Sequence, residues 1–158
     1  MKQALALALL TAGLADAASA DLQGADLLRG LSSDGVFRQV TPLPADRLLK
    51  GERGYDLLPG QFGGQWSVVL GGAQNVASSV LFTFLGGKAA LERGGPTIGK
   101  LMGRMVGRAA TSCFSLGNER LPELKSWVES SVKSVVGDAN LERNFGPLRV
   151  QQIGRAHV

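Results

Sequence analysis

Apolar positions along the chain recur at helical spacing in three stretches and alternate in short central ones. Leu22, Ala25, Leu27, Leu28 and Leu31 form a helical stripe that Asp34-Gly35 stops. Residues 36–41 read as a short strand closed by Pro42 and Pro44, and 47–50 as one helical turn. The glycine-rich stretch 51–64 reads as loop. Residues 66–70 and 78–85 are strands on either side of Gly71-Gly72, an antiparallel pair joined through 73–77 by an open loop or a bulge. In the second strand Leu81, Thr83 and Leu85 alternate with Val80, Phe82 and Phe84, so both faces are apolar enough to be covered and the strand is expected to be central.

Gly86-Gly87 and Gly94-Gly95-Pro96 bracket a helical turn at 88–93. Helical spacing then holds over 97–114 and again over 118–136, where Asn118 is the expected N-cap and Pro122 sits in the first turn. The second of these helices carries Leu124, Trp127, Val128, Val132, Val135 and Val136 on one face and stops at Gly137. A last strand is expected at 147–153, with 154–158 as a tail. Strands and helices are grouped rather than alternating. The expected fold is therefore α+β, a single domain with a small antiparallel sheet of three to four strands covered by two main C-terminal helices.

The N-terminus changes the picture. Lys2, the apolar run Ala4-Leu5-Ala6-Leu7-Ala8-Leu9-Leu10 and the small residues Ala18-Ser19-Ala20 have the three-part pattern of a secretory signal peptide. The expectation is that residues 1–20 are a leader, that 21–158 form the domain, and that the protein is periplasmic or extracellular. In that oxidising setting Cys113, the one cysteine, is either buried or paired with another molecule; burial is favoured.

Composition narrows the chemistry. With 44% apolar, 19% charged and 6% aromatic residues, the 158-residue chain can bury one core and is not a disordered tail. One cysteine and one histidine exclude an internal disulfide and a multi-histidine metal site within one chain. No cofactor is expected. The net charge is +4, with eleven arginines against six lysines, which favours carboxylate or phosphate contacts.

The most distinctive segment is 97–114. At 100° per residue, Ile98, Leu101, Met102, Met105, Val106, Ala109 and Cys113 share an apolar floor. Gly99, Gly103 and Gly107 line up beside it, and Lys100, Arg104 and Arg108 form the remaining ridge. Each interior glycine costs about 1 kcal/mol relative to alanine, so close approach of another element, the 121–136 helix or a strand, is the expected compensation. Two functional readings stand beside that packing role. One is a helix lying on a membrane surface; the other is an anion platform in which Lys100, Arg104 and Arg108 meet phosphates or an anionic envelope polymer.

Other motifs carry less. Residues 94–101 match G-x-x-x-x-G-K, but Leu101 stands where Ser or Thr would hold Mg²⁺, so no nucleotide is expected. Cys113 and His157 are the sole thiol–imidazole combination, and His157 lies at a chain end. Arg53, Tyr55, Phe62 and Trp66 in or beside the 51–64 loop are candidates for gripping a sugar or nucleobase. The resulting expectation is an exported, non-catalytic binding or envelope-associated accessory protein. Its partner would be an anionic envelope polymer, a membrane surface or another exported protein. Two rivals stand: a carboxylate-dependent hydrolase with a cleft under the 51–64 loop, and a homo-oligomer assembling through the glycine groove.

Overall fold

Period-two alternation and helical stripes become one antiparallel sheet with a layer of helices. The computed structural model describes residues 3–12, 20–33, 35–71, 79–134, 139–146 and 148–157. In chain order the elements are β1 (Gln3–Ala12), α1 (Ala20–Ser33), β2 (Gln39–Pro42), β3 (Arg53–Leu58), β4 (Gln65–Gly71), β5 (Ser79–Gly87), α2 (Lys88–Phe114), α3 (Leu121–Ser134), β6 (Ala139–Phe145) and β7 (Leu148–His157). Short 3-10 turns at Ala45–Arg47 and Asn118–Arg120 precede β3 and α3. The α+β class holds. Four consecutive antiparallel strands, β2 to β5, form one part of the sheet and the β6–β7 hairpin the other, and β1 joins them in the order β2-β3-β4-β5-β1-β7-β6.

Helices and core lie on the same side. α2 packs against β5, β1 and β7, α3 against α2, β6 and β7, and α1 against α2 and β2. Alternate residues of the strands supply the core: Trp66, Val68 and Leu70 from β4, Val80, Phe82 and Phe84 from β5, Leu148 and Val150 from β7. Trp66 sits between Phe37 and Phe84, with ring centroids 5.9 and 4.8 Å away. Each such fully buried apolar side chain stabilises the fold by roughly 1.5–3 kcal/mol. β5 is central as expected, but for a different reason: it is paired on both edges by β4 and β1. Its second face, Leu81, Thr83 and Leu85, is only half-buried.

Several expectations change. Residues 53–58, read as loop, are β3, whose alternation was obscured because Gly54 stands at a buried position against Leu43 and Leu48. Gly94-Gly95-Pro96 does not break the chain: α2 runs unbroken for 27 residues and takes in both 88–93 and Pro96. Asn118 opens the 3-10 turn leading into α3 rather than capping α3 itself, and β7 continues through the expected tail. β6 was not anticipated; its sequence, Ala-Asn-Leu-Glu-Arg-Asn-Phe, carries apolar residues too sparsely to announce a strand. The apolar run read as a leader forms β1 in the full chain. Ala18-Ser19 of the expected cleavage site, the 73–77 connection, Val135, Val136 and Gly137 lie outside the described residues.

Candidate functional site

The three stripes of the 97–114 segment have three separate destinations. The apolar floor is buried: Ile98, Met102, Met105, Val106 and Ala109 are all within the core, which leaves no apolar face for lying on a membrane. Cys113 is in the same floor, 7% exposed, and burial pushes its thiol up to about 11. A thiol held protonated in this way is a packing group and a poor nucleophile.

The glycine line seats α3. A Cβ at Gly99 would lie 2.8 Å from the Glu129 carbonyl oxygen, and one at Gly103 would lie 3.2 Å from that of Lys125. At Gly107 it would meet the Lys125 side chain, with Cε 2.7 Å away. Backbone-to-backbone approach of this kind needs residues without side chains, the same logic that places small residues at close helix crossings. The groove is thus filled from within the chain by the helix expected to fill it. α3 is held on its other side by β6. Arg143 hydrogen-bonds Glu123, its guanidinium lies 5.1 Å from the Phe145 ring centroid, and Phe145 meets Trp127 edge-on at 5.9 Å.

Seating α3 in the groove creates the candidate site. Arg104 and Arg108 stand on the α2 flank, and Lys125 comes from the second turn of α3. Together with Thr111, Ser112 and Leu121 they line a surface cavity of about 280 Å³. Of the predicted basic ridge, the structure brings Arg104 and Arg108 into this cavity; Lys100, one turn earlier and exposed, is not among its lining residues. Arg108 also reaches α1, since a Cβ on Gly30 would lie 2.8 Å from one of its guanidinium nitrogens. Thr111 donates its hydroxyl proton to the Gly107 carbonyl at 3.0 Å, so its one side-chain donor is already used within α2. Sequence reasoning missed Lys125, Thr111 and Ser112. Thr111 and Ser112 flank the ridge at helical spacing and were legible; Lys125 belongs to another helix and was not.

Two helix ends and three basic side chains set the charge around the cavity. Leu121 begins α3, so the positive end of that helix's dipole is on the cavity side; the C-terminal end of α2 near Phe114 works against it. Each helix end is equivalent to roughly half a charge, so the two nearly cancel.

The remaining candidates do not converge. Trp66 is 1% exposed, with its Nε1 donating to the Gln61 carbonyl at 3.0 Å, and is committed to the core. Tyr55 packs half-buried against the core. Phe62 stands in the β3–β4 turn with a left-handed φ of 56° and is 37% exposed. Arg53 pairs with Leu70 at the opposite end of that hairpin. Residues 94–101, matching a phosphate-loop pattern, are helical, so their backbone N–H groups point along α2 rather than around a ligand. Among the described residues no three His, Cys, Asp or Glu side chains are grouped to hold a metal ion, and no helix is long and apolar enough to cross a membrane. No family model, curated protein or solved structure matches the chain.

Proposed function

We propose that the chain is exported, loses residues 1–20, and serves without catalysis of its own as an envelope-associated binding protein that holds an anionic polymer at the Arg104–Arg108–Lys125 cavity. The observation that carries this reading is the convergence of three cations from two helices on one cavity. A smooth apolar face would serve a membrane better, and this helix has none left.

Magnitudes select the ligand class. At about 4 Å in bulk water a charge pair contributes about 1 kcal/mol, so three cations supply at most ~3 kcal/mol, corresponding to a Kd no tighter than several millimolar. That is too weak to retain a single small anion. A polyanion presents many such groups at high local concentration, and its avidity exceeds the single contact by orders of magnitude. The contact is exposed, so added salt weakens it.

The test is retention on immobilised polyphosphate at low ionic strength. The triple variant Arg104→Gln, Arg108→Gln, Lys125→Gln should elute early, whereas Lys100→Gln, outside the cavity, should elute close to the parent. Equal retention of the parent and the triple variant would refute the site.

A further inference from the structure

β1 occupies a place that the rest of the sheet needs filled. It is in register with β5 from Gln3↔Gly87 to Thr11↔Ser79, and with β7 from Gln3↔His157 to Ala12↔Leu148. Both neighbours run antiparallel to β1, so β5 and β7 are parallel to each other and two strand spacings apart, roughly 10 Å. Removing residues 1–20 therefore leaves two facing edges of unpaired N–H and C=O groups in the middle of the sheet, too far apart to bond one another.

Closing that gap requires the β6–β7 hairpin to slide by one strand spacing, about 4.8 Å. The helical layer opposes the slide. α3 is tied to β6 through Glu123–Arg143 and Trp127–Phe145, and to α2 through backbone contact at Gly99 and Gly103. Moving β6 would drag α3 out of its groove.

A second, independent observation concerns what fills the place. Gln152 of β7 is fully buried, and neither its amide oxygen nor its amide nitrogen has a hydrogen-bond partner. Its register partners are Ala8 on β1 and Leu141 on β6, neither of which has a polar side chain. Buried amides without partners are costly and rare. β1 thus holds the position while leaving one polar demand unmet, and the unmet group is in register with β1 itself.

We propose that in the processed protein the position between β5 and β7 accepts an extended apolar strand donated by a second exported polypeptide, with a hydrogen-bonding side chain at the register position opposite Gln152. Backbone ladders on both edges supply the affinity, and the Gln152 amide supplies the selection among apolar segments. This rests on the export reading, because it is leader removal that empties the position.

The experiment uses the full chain with a specific protease site introduced between Ala12 and Ala20. After nicking, the protein is incubated with lysine-flanked peptides of the 3–12 sequence, one unaltered and one carrying Ala8→Ser, and the species present are counted by native mass spectrometry. The expected result is a 1:1 complex in which peptide has replaced β1, with the Ala8→Ser peptide competing roughly tenfold better than the unaltered one, as one regained hydrogen bond to a buried amide implies. That advantage should vanish in a Gln152→Leu variant. Persistence of β1 against a large excess of both peptides would overturn the proposal, and so would departure of β1 without any peptide entering. The mass of the native protein separates the two readings: an intact Met1 sinks export and the acceptor position with it, whereas failed exchange with a processed N-terminus sinks the acceptor strand alone.

Discussion

Replacing single glycines of α2 by alanine weighs helix propensity against the seating of α3 at each position. Alanine in a helix interior is favoured over glycine by about 1 kcal/mol, and that gain is common to every site in the series. The steric term differs. A Cβ at Gly94 meets only the Ile98 side chain, at 3.4 Å, an ordinary contact, so Gly94→Ala should keep nearly the whole gain. At Gly103 the new methyl would lie 3.2 Å from the Lys125 carbonyl oxygen, a contact relieved by a shift of a few tenths of an ångström, so gain and strain should nearly cancel. At Gly99 the distance is 2.8 Å to the Glu129 carbonyl, and the obstacle is the backbone of a helix fixed on both sides. Overpacking of that kind costs about 1–3 kcal/mol, so Gly99→Ala should lose roughly 0–2 kcal/mol net. With about 2–4 °C per kcal/mol for a chain of this size, melting temperature should rise by ~2–4 °C for Gly94→Ala, barely change for Gly103→Ala, and hold steady or fall by up to ~8 °C for Gly99→Ala. Calorimetry on the three variants gives the order directly. Equal stabilisation by all three alanines would mean that α3 does not rest on the glycines, and the cavity built on that contact would lose its basis.

Other outcomes follow from the same structure. Gln152→Leu removes an unsatisfied amide from the core of the full chain and should raise its unfolding free energy by about 1–3 kcal/mol in urea titrations; a loss of stability would mean that the amide is bonded. The Cys113 thiol is raised from 9.0 to about 11, so below pH 9 it is protonated in both folded and unfolded chains and contributes no pH dependence. Between pH 9 and 11 the unfolded chain loses the proton first, and stability should fall by about 2–3 kcal/mol more in the parent than in Cys113→Ala. Matching pH profiles would contradict the burial. Trp66→Ala should cost about 3–5 kcal/mol by emptying the space between Phe37 and Phe84, with no effect on polyphosphate retention measured on the folded variant. The Glu142 carboxyl accepts hydrogen bonds from Arg149 and Gln151, which lower its pKa; NMR titration of Arg149→Ala should show it moving back up.

What the sequence disclosed depended on whether a signal was local. The floor, groove and ridge of α2 are properties of one helix at fixed angular spacing; in the structure the floor is buried, the glycines meet α3, and Arg104 and Arg108 but not Lys100 line the cavity. The occupant of the groove was also legible, because backbone exposed along one line calls for a second helix and the 121–136 stretch was the nearest candidate. Lys125 was invisible as a site residue because its partnership with Arg104 and Arg108 exists only after α3 is seated. β3 was missed because Gly54 and the surrounding glycines read as turn signals, while the strand is held by its pairing with β2 and β4. Pro96 looked like a helix boundary, yet packing of Ile98 and Leu101 into the core and of Gly99 and Gly103 against α3 carries α2 through it. Aromatic residues near 51–64 suggested a ligand grip; Trp66 instead serves the core, where its one polar atom finds the Gln61 carbonyl.

Titrating isotopically labelled protein with soluble polyphosphate at low salt, and following backbone amide shifts, tests the anion site most directly. Shifts concentrated at 104–112 and 121–125, abolished by the Arg104→Gln, Arg108→Gln, Lys125→Gln variant and by high salt, are the predicted result. Shifts centred on Lys100 or on the 53–64 hairpin, or none at all, would contradict it.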